Sequence, residues 1–420
     1  MAESAHKKSY NLEGRTLLIP RMSDEGPDAF AAAFRSIGIK AATVLPSNER
    51  SIKLGGRYTS GDECYPEQIT LGDFLRAIEE MGHDKVAFFM PTANGPCRFG
   101  QYAYFLKKVL RDMGHESIPV VSPTSSDGYD GLGKHTSDLM RTAWRGLVIA
   151  DIIRKLRLHY RPYEIKRGET DRTSDECLQS FCSILERMDL SHAERLKLLV
   201  DEMSGTRARY QDIARNNEHR PLVGVVGEIF CRLSNFSNED LIRKIEHHGG
   251  ECWLSDVGEW VWYTNQQQRM RIIHAGKRFS ATMLKAKIKS VIQRHDEHRL
   301  LKPILPLIKG REEPEDIGEI LDRSHPYLPY RGALGEMVLS TGKAIWLYEK
   351  GASGIADISP FTCMNGIVCE AVYPRVSGDH HGIPIRVFYF DGTQKTIDQD
   401  VGIFMQLVRN FERKRAGAGF

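Results

Sequence analysis

From Arg15 onward, short apolar runs alternate with stretches whose apolar residues recur at helical spacing. RTLLIP (15–20), KAATVLP (40–46), KVAFFMP (85–91) and SIPVVSP (117–123) predict strands, KVAFFMP an inner parallel one. Between them Phe30, Phe34 and Ile37, then Leu71, Phe74, Leu75 and Ile78, mark helix faces, and Tyr102 to Met113 predicts another helix. From His135 to about Asn217 the strands give way to charged amphipathic helical segments. At Pro221 the alternation resumes. PLVGVVGEIF (221–230) is strand then loop, NEDLIRKIEHHGG a helix ending at Gly249–Gly250, and ECWLSD (251–256), GIADIS (354–359) and IPIRVFYFD (383–391) are strands. Val401 to Phe411 closes as a helix, and the tail RKRAGAGF is expected to fray. Strands alternating with helices indicate βαβ units. The expected fold is α/β, with two doubly wound, Rossmann- or flavodoxin-like parallel-sheet domains at 14–134 and 221–411 and a helical connecting subdomain at 135–220.

Composition narrows the classes. The 420 residues are 41% apolar and 27% charged, enough for two or three domains with their own cores. A net charge of +3 is too balanced to argue for nucleic acid. No apolar run reaches the length of about 18 residues that a membrane span needs. The first residues, MAESAHKKSYNLEGR, lack the apolar stretch of a secretory signal, so the expected compartment is the cytoplasm. One span, 266–311, is rich in Lys and Arg, interleaved with Met283, Leu284, Ile288 and Ile292. Its ordinary reading is a helix with a solvated basic face, and its other reading a docking surface for an acidic partner or anionic ligand.

Eight cysteines in a reducing compartment are buried thiols, a catalytic thiol or metal ligands. Five share a position type. Cys64 lies in GDECYPEQ before a helix, and Cys97 in NGPCRFGQY after a strand, where Gly95 and Gly100 let the backbone approach closely. Cys231 lies in GEIFCRLSNFSNED, and Cys363 and Cys369 in SPFTCMNGIVCEA after GIADIS. Loops beyond the carboxyl ends of strands line the ligand crevice of doubly wound domains, and helix N-termini stabilise thiolate charge. Cys252, near the start of a strand, stands open between ligand and core. Cys177 and Cys182, on the helical connection, read as packing. With no CxxC pair, zinc ribbons and ferredoxin-type runs are excluded. Six thiols from two domains suit an iron–sulfur cluster held between them.

GDECYPEQ, NGPCRFGQY, GEIFCRLSNFSNEDLIRKIEHHGGECWLSDVGEW and SPFTCMNGIVCEA together resemble the family related to 2-hydroxyacyl-CoA dehydratase subunits. The likeness is greatest to the cysteine-bearing region of large CoA-substrate-specific enzyme activases and covers about residues 14–410. The resemblance implies an iron–sulfur cluster: a double-cubane [8Fe-9S] cluster, held by Cys64, Cys97, Cys231, Cys252, Cys363 and Cys369, or a [4Fe-4S] cluster. It also implies low-potential electrons from a separate ATP-hydrolysing [4Fe-4S] activator, a small-molecule substrate and a homodimer. The expected activity is that of an ATP-dependent reductase component. The alternatives are a subunit of a 2-hydroxyacyl-CoA dehydratase, or a non-enzymatic binding module with structural thiols or zinc.

Other signals have ordinary readings. GYDGLGKH (128–135) nearly matches a phosphate loop, but His135 replaces the hydroxyl that would bind Mg²⁺, so no nucleotide is expected on this chain. Arg98 and Arg232 each follow a cysteine and either offset cluster charge or pair with a carboxylate. Glu228 is a proton donor or, more ordinarily, a hydrogen-bond acceptor at a helix start. His380–His381 suit a polar loop, and His247–His248 a helix end. No GxSxG elbow supports hydrolase chemistry.

Overall fold

Among the described residues, eight short and largely buried runs form the strands, and helices cover the faces they leave. The computed structural model describes residues 10–93, 95–123, 135–331, 335–393 and 397–418. The chain divides into two units, 1–146 with 182–195, and 147–181 with 196–420. The helical span 135–220 is therefore parcelled between the two units.

The first unit runs β1 (Thr16–Ile19), α1 (Gly26–Arg35), β2 (Ala41–Thr43), α2 (Glu49–Gly56), α3 (Tyr65–Met81), β3 (Val86–Phe89), α4 (Tyr102–Asp112) and β4 (Val120–Val121). Three helices follow, α5 (Thr136–Tyr160), α6 (Glu169–Leu185) and α7 (His192–Gln211). The sheet is wholly parallel, in the order β2-β1-β3-β4. Alternate residues serve opposite faces, as the two-residue period of a strand requires. Leu18, Phe88 and Val120 pack with Leu71 and Phe74 of α3 and Leu106 of α4, while Leu17, Ala87, Phe89 and Val121 pack with Phe34 of α1 and Leu139 and Ala143 of α5. Burial on both faces is why these strands read as unbroken apolar runs.

Helices α2 and α3 cross on glycine. A Cβ on Gly72 would lie 1.8 Å from the Ser51 carbonyl oxygen, and one on Gly55 2.0 Å from that of Gln68. The obstacle is backbone, so it cannot swing aside. Gly72→Ala is expected to destabilise this unit by at least about 2 kcal/mol. Chemical denaturation followed through Trp144 measures this, and an unchanged midpoint would count against the crossing.

The second unit repeats the topology. It runs β5 (Leu222–Gly227), α8 (Ile229–Leu233), α9 (Leu241–His247), β6 (Glu251–Leu254), α10 (Val257–His274), α11 (Ala281–Leu301), α12 (Gly318–Ser324), α13 (Glu336–Glu349), β7 (Gly354–Pro360), α14 (Met364–Asp379), β8 (Ile385–Phe390) and α15 (Ile397–Ala418). Its parallel sheet has the order β6-β5-β7-β8. Both sheets place the first strand between the second and third, so each has its topological switch point between strands one and three. Helix α13, buried from Val338 to Leu347, was not anticipated because its sequence lacks a polar face. The tail expected to fray is helical to Ala418.

A line of buried charge runs beneath this core. Lys343 of α13 is 0% exposed and pairs with Glu259 Oε2 at 2.9 Å and with Glu313. Glu313 also holds Lys155 at 2.7 Å, and Lys155 reaches Asp256 at 2.9 Å.

Candidate cysteine sites at the strand ends

Three cysteines are built into one kind of turn. Cys64 (φ −76°, ψ 148°), Cys97 (φ −68°, ψ 134°) and Cys363 (φ −65°, ψ 122°) are each the extended residue immediately before a helical turn. The first turn of a helix has free N–H groups and the positive end of the dipole, so a side chain at this position faces donors. Cys97 and Cys363 correspond: each follows the third strand of its sheet, and each has glycine three residues on. A Cβ on Gly100 would lie 2.6 Å from the Ala93 carbonyl oxygen, and one on Gly366 2.8 Å from Ser359.

In the first unit, Cys64 is buried and its Sγ lies 2.5 Å from Tyr102 Oη at the start of α4. Arg98 donates from Nη1 to the Asp62 carbonyl at 2.6 Å. These bonds tie the Cys64 and Cys97 loops together at the carboxyl edge of the sheet, and Arg98 serves as a loop tie. Three residues beyond Cys64, burial pushes Glu67 up to about 7, with Glu63 adding and Arg98 opposing.

In the second unit, the switch point between β5 and β7 holds the groups. Gly227 ends β5 at φ +115°, and a Cβ there would lie 2.2 Å from the Ile358 carbonyl oxygen, so only glycine closes the strands here. Glu228 caps α8. Its carboxylate accepts from the backbone of Phe230 at 3.0 Å and of Cys231 at 2.8 Å, the helix-start role. Cys231 is fully buried. Glu336 accepts from Ile229 N–H at 3.2 Å. Burial, then the neighbouring Glu228 carboxylate, pushes Glu336 up to about 8, with Arg232 opposing. Asp357, in β7, accepts from Tyr373 Oη at 2.5 Å and Ser359 Oγ at 2.8 Å. Arg232, 6% exposed, donates to the Gly227 carbonyl at 3.0 Å and is the cation among Glu228, Glu336 and Asp357.

Cys363 borders the same group. Burial and then Glu228 push its thiol up, with the backbone of Gly366 and Asn365 opposing. An activated cysteine nucleophile has cations nearby that lower its pKa; Cys363 has carboxylates.

The structure leaves Cys252 and Cys369 away from this edge. Cys252 pairs in register with Val223, four residues before Gly227 at the end of β5, and lies within β6, two residues before that strand ends at Leu254. It is 3% exposed inside the sheet. Cys369 lies six residues along α14 from Cys363, about 9 Å down the axis. It is 1% exposed in the apolar core, with Thr341 Oγ1 at 3.8 Å and the Met337 carbonyl at 3.6 Å. Cys177 is fully buried against Arg209, which donates to its sulfur at 3.1 Å, and Cys182 is half-buried on α6.

His380 Nδ1 meets the Val376 carbonyl and His381 Nδ1 meets Tyr348 Oη, each at 2.7 Å, and His248 faces Asp398 at 3.3 Å. GYDGLGKH lies outside the described residues except for His135, as does Asn94 of the Cys97 motif. Glu336 and Asp357 were missed in the sequence. Asp357 had a signal, a lone acid inside the apolar run GIADIS; Glu336 had none, because 107 residues separate it from Ile229. A groove of about 1120 Å³ follows the outer strand β8 between α14 and α15 and contains no thiol. Among the described residues no three His, Cys, Asp or Glu side chains form a ready metal site. The chain matches no family model and no curated protein.

Proposed function

We propose that this chain is an iron–sulfur protein whose cluster ligands are Cys64, Cys97, Cys231 and Cys363. The observation that supports this most is the repeated turn. Cysteine precedes the helical turn after strand three in both units, with the glycine that its close approach requires. The donor chemistry fits such a group. Soft thiols at helix starts, held in a carboxylate-rich setting, stay protonated until a cation displaces the proton. Four thiols are the ligand number of a single [4Fe-4S] cluster. The double cubane would also need Cys252 and Cys369, which lie in the sheet and the core.

When bound, the cluster would supply one-electron chemistry at low potential. The residues of the chain do the rest. Glu228 and the α8 backbone orient Cys231, Gly227 and Gly366 let the loops close, and Arg232 limits the negative charge around them. The family resemblance supplies the role: acceptance of electrons from a separate ATP-dependent activator and reduction of a small substrate, in the cytoplasm.

Anaerobic purification followed by iron and acid-labile sulfide analysis tests the reading. About four irons and four sulfides per chain are expected. A colourless protein with stoichiometric zinc would end it, and about eight irons would restore the double cubane.

A further inference from the structure

The basic span of the second unit presents its apolar residues outward. On α11, Leu284, Ile288, Val291 and Ile292 are 60%, 50%, 68% and 37% exposed. The line turned inward is Met283, Ala286, Gln293, Asp296 and Leu300, and two of these five are polar. Gln293 accepts from Asn265 Nδ2 at 2.9 Å, so the inward polar face is satisfied. A surface helix normally buries its aliphatic stripe and exposes its polar one. This helix does the reverse.

The spacing identifies the shape of what covers it. Ala281, Leu284, Ile288, Val291 and His295 are separated by three, four, three and four residues, the a/d repeat of a coiled-coil seam. In that register Lys285 and Ile292 take the e positions, while Lys287 and Arg294 take g positions; Arg294 already pairs with Glu297 at 2.9 Å, so Lys285 and Lys287 are the cations that a partner would meet. The stripe is narrow, about 100° of the helix, and three of its four bordering e and g positions are basic, Ile292 being the fourth. A bilayer wets a broad apolar face; a two-heptad seam edged by e and g cations matches one partner helix.

Charge then selects the partner. From Gln266 to His295 there are eight Lys or Arg residues and no Asp or Glu. A second copy of this chain would bring no carboxylate to any e or g position of the seam, and an antiparallel pair would set Lys287 against Arg294. The geometry points to α11 as the docking face for an amphipathic helix of another protein, with aliphatic residues at a and d and Glu or Asp at e and g. Seam residues bury against each other, and the acidic flanks set register and partner choice.

The test uses the full-length protein and two fluorescein-labelled helical peptides, both with Leu at a and d, one with Glu and one with Lys at e and g. Fluorescence anisotropy is expected to show the Glu peptide binding at least about tenfold more tightly than its Lys twin. Ile288→Ser/Val291→Ser should weaken the Glu peptide at least about tenfold with unchanged far-ultraviolet circular dichroism. Lys285→Glu/Lys287→Glu should reverse the preference, a gain that misfolding cannot imitate. Equal binding of the two peptides, or none, overturns the proposal. So does binding to phosphatidylglycerol vesicles without peptide preference, or self-association of the chain abolished by Ile288→Ser/Val291→Ser. Iron content has no part in the readout, so the docking face and the cluster stand or fall separately.

Discussion

Replacing Lys343 with alanine is expected to destabilise the second unit by about 3–5 kcal/mol, the usual cost of removing one partner from a buried ion pair. Lys343 is 0% exposed, pairs with Glu259 and Glu313, and lies 4.2 Å from the centre of the Trp346 ring. Without it two largely buried carboxylates lose their cation, and Lys155 is the remaining counter-ion of Glu313. Lys343→Met, which fills the space without the charge, should recover little alone and more when combined with Glu259→Gln. Urea denaturation suits the measurement, since Trp253, Trp260, Trp262 and Trp346 all belong to this unit. A loss under about 1 kcal/mol would show that water or a shifted proton replaces the lysine.

The same network predicts an acid transition. Burial pushes Glu313 up, but Lys155 and then Lys343 outweigh it and hold the carboxyl at about 2, below its ordinary 4.5. A folded pKa below the unfolded one means that the contribution is complete above about pH 5 and is lost as the pH falls toward 2. Wild-type stability should therefore decline over that window, and the Lys343→Ala variant should decline less, because part of the contribution is already gone. Parallel slopes in the two proteins would sink this account.

The second large effect concerns iron. Cys363→Ser and Cys97→Ser are each expected to lose the greater part of the bound iron after anaerobic purification, while Cys252→Ala and Cys369→Ala keep it. The reason is position. Cys97 and Cys363 precede their helical turns at the strand ends, whereas Cys252 lies within β6, two residues before its end, with its side chain buried in the sheet. Cys252→Ala and Cys369→Ala remove only small core groups and should cost about 1 kcal/mol each in stability. Full iron in Cys363→Ser would remove that residue from the ligand set. Loss of iron in Cys252→Ala would bring back six ligands and the double cubane.

The strands of the described residues lie where their apolar runs placed them, because strands largely covered on both faces are mostly apolar, and that is a property of local sequence. The cysteine turns were visible for a similar reason. A thiol between a strand and a helix has to be at the carboxyl edge of a parallel sheet, so Cys97 and Cys363 were marked by neighbours alone, whereas Cys64, between α2 and α3, and Cys231, inside α8, were marked only as lying at a helix start. Height along a strand is different. Whether Cys252 reaches that edge depends on its register with Val223, which is a pairing between segments far apart in the chain. Glu336 could not be linked to Glu228, nor Lys343 to Glu259 and Glu313, before α13 was in place. Helix α11 shows the limit most directly. Its periodicity contains two candidate faces, one through Met283, Ala286 and Gln293 and one through Leu284, Ile288 and Val291. Hydrophobicity alone favours burial of the second. The tertiary structure buries the first, because Asn265 meets Gln293 there, and periodicity sets the angle between two faces without saying which one turns inward.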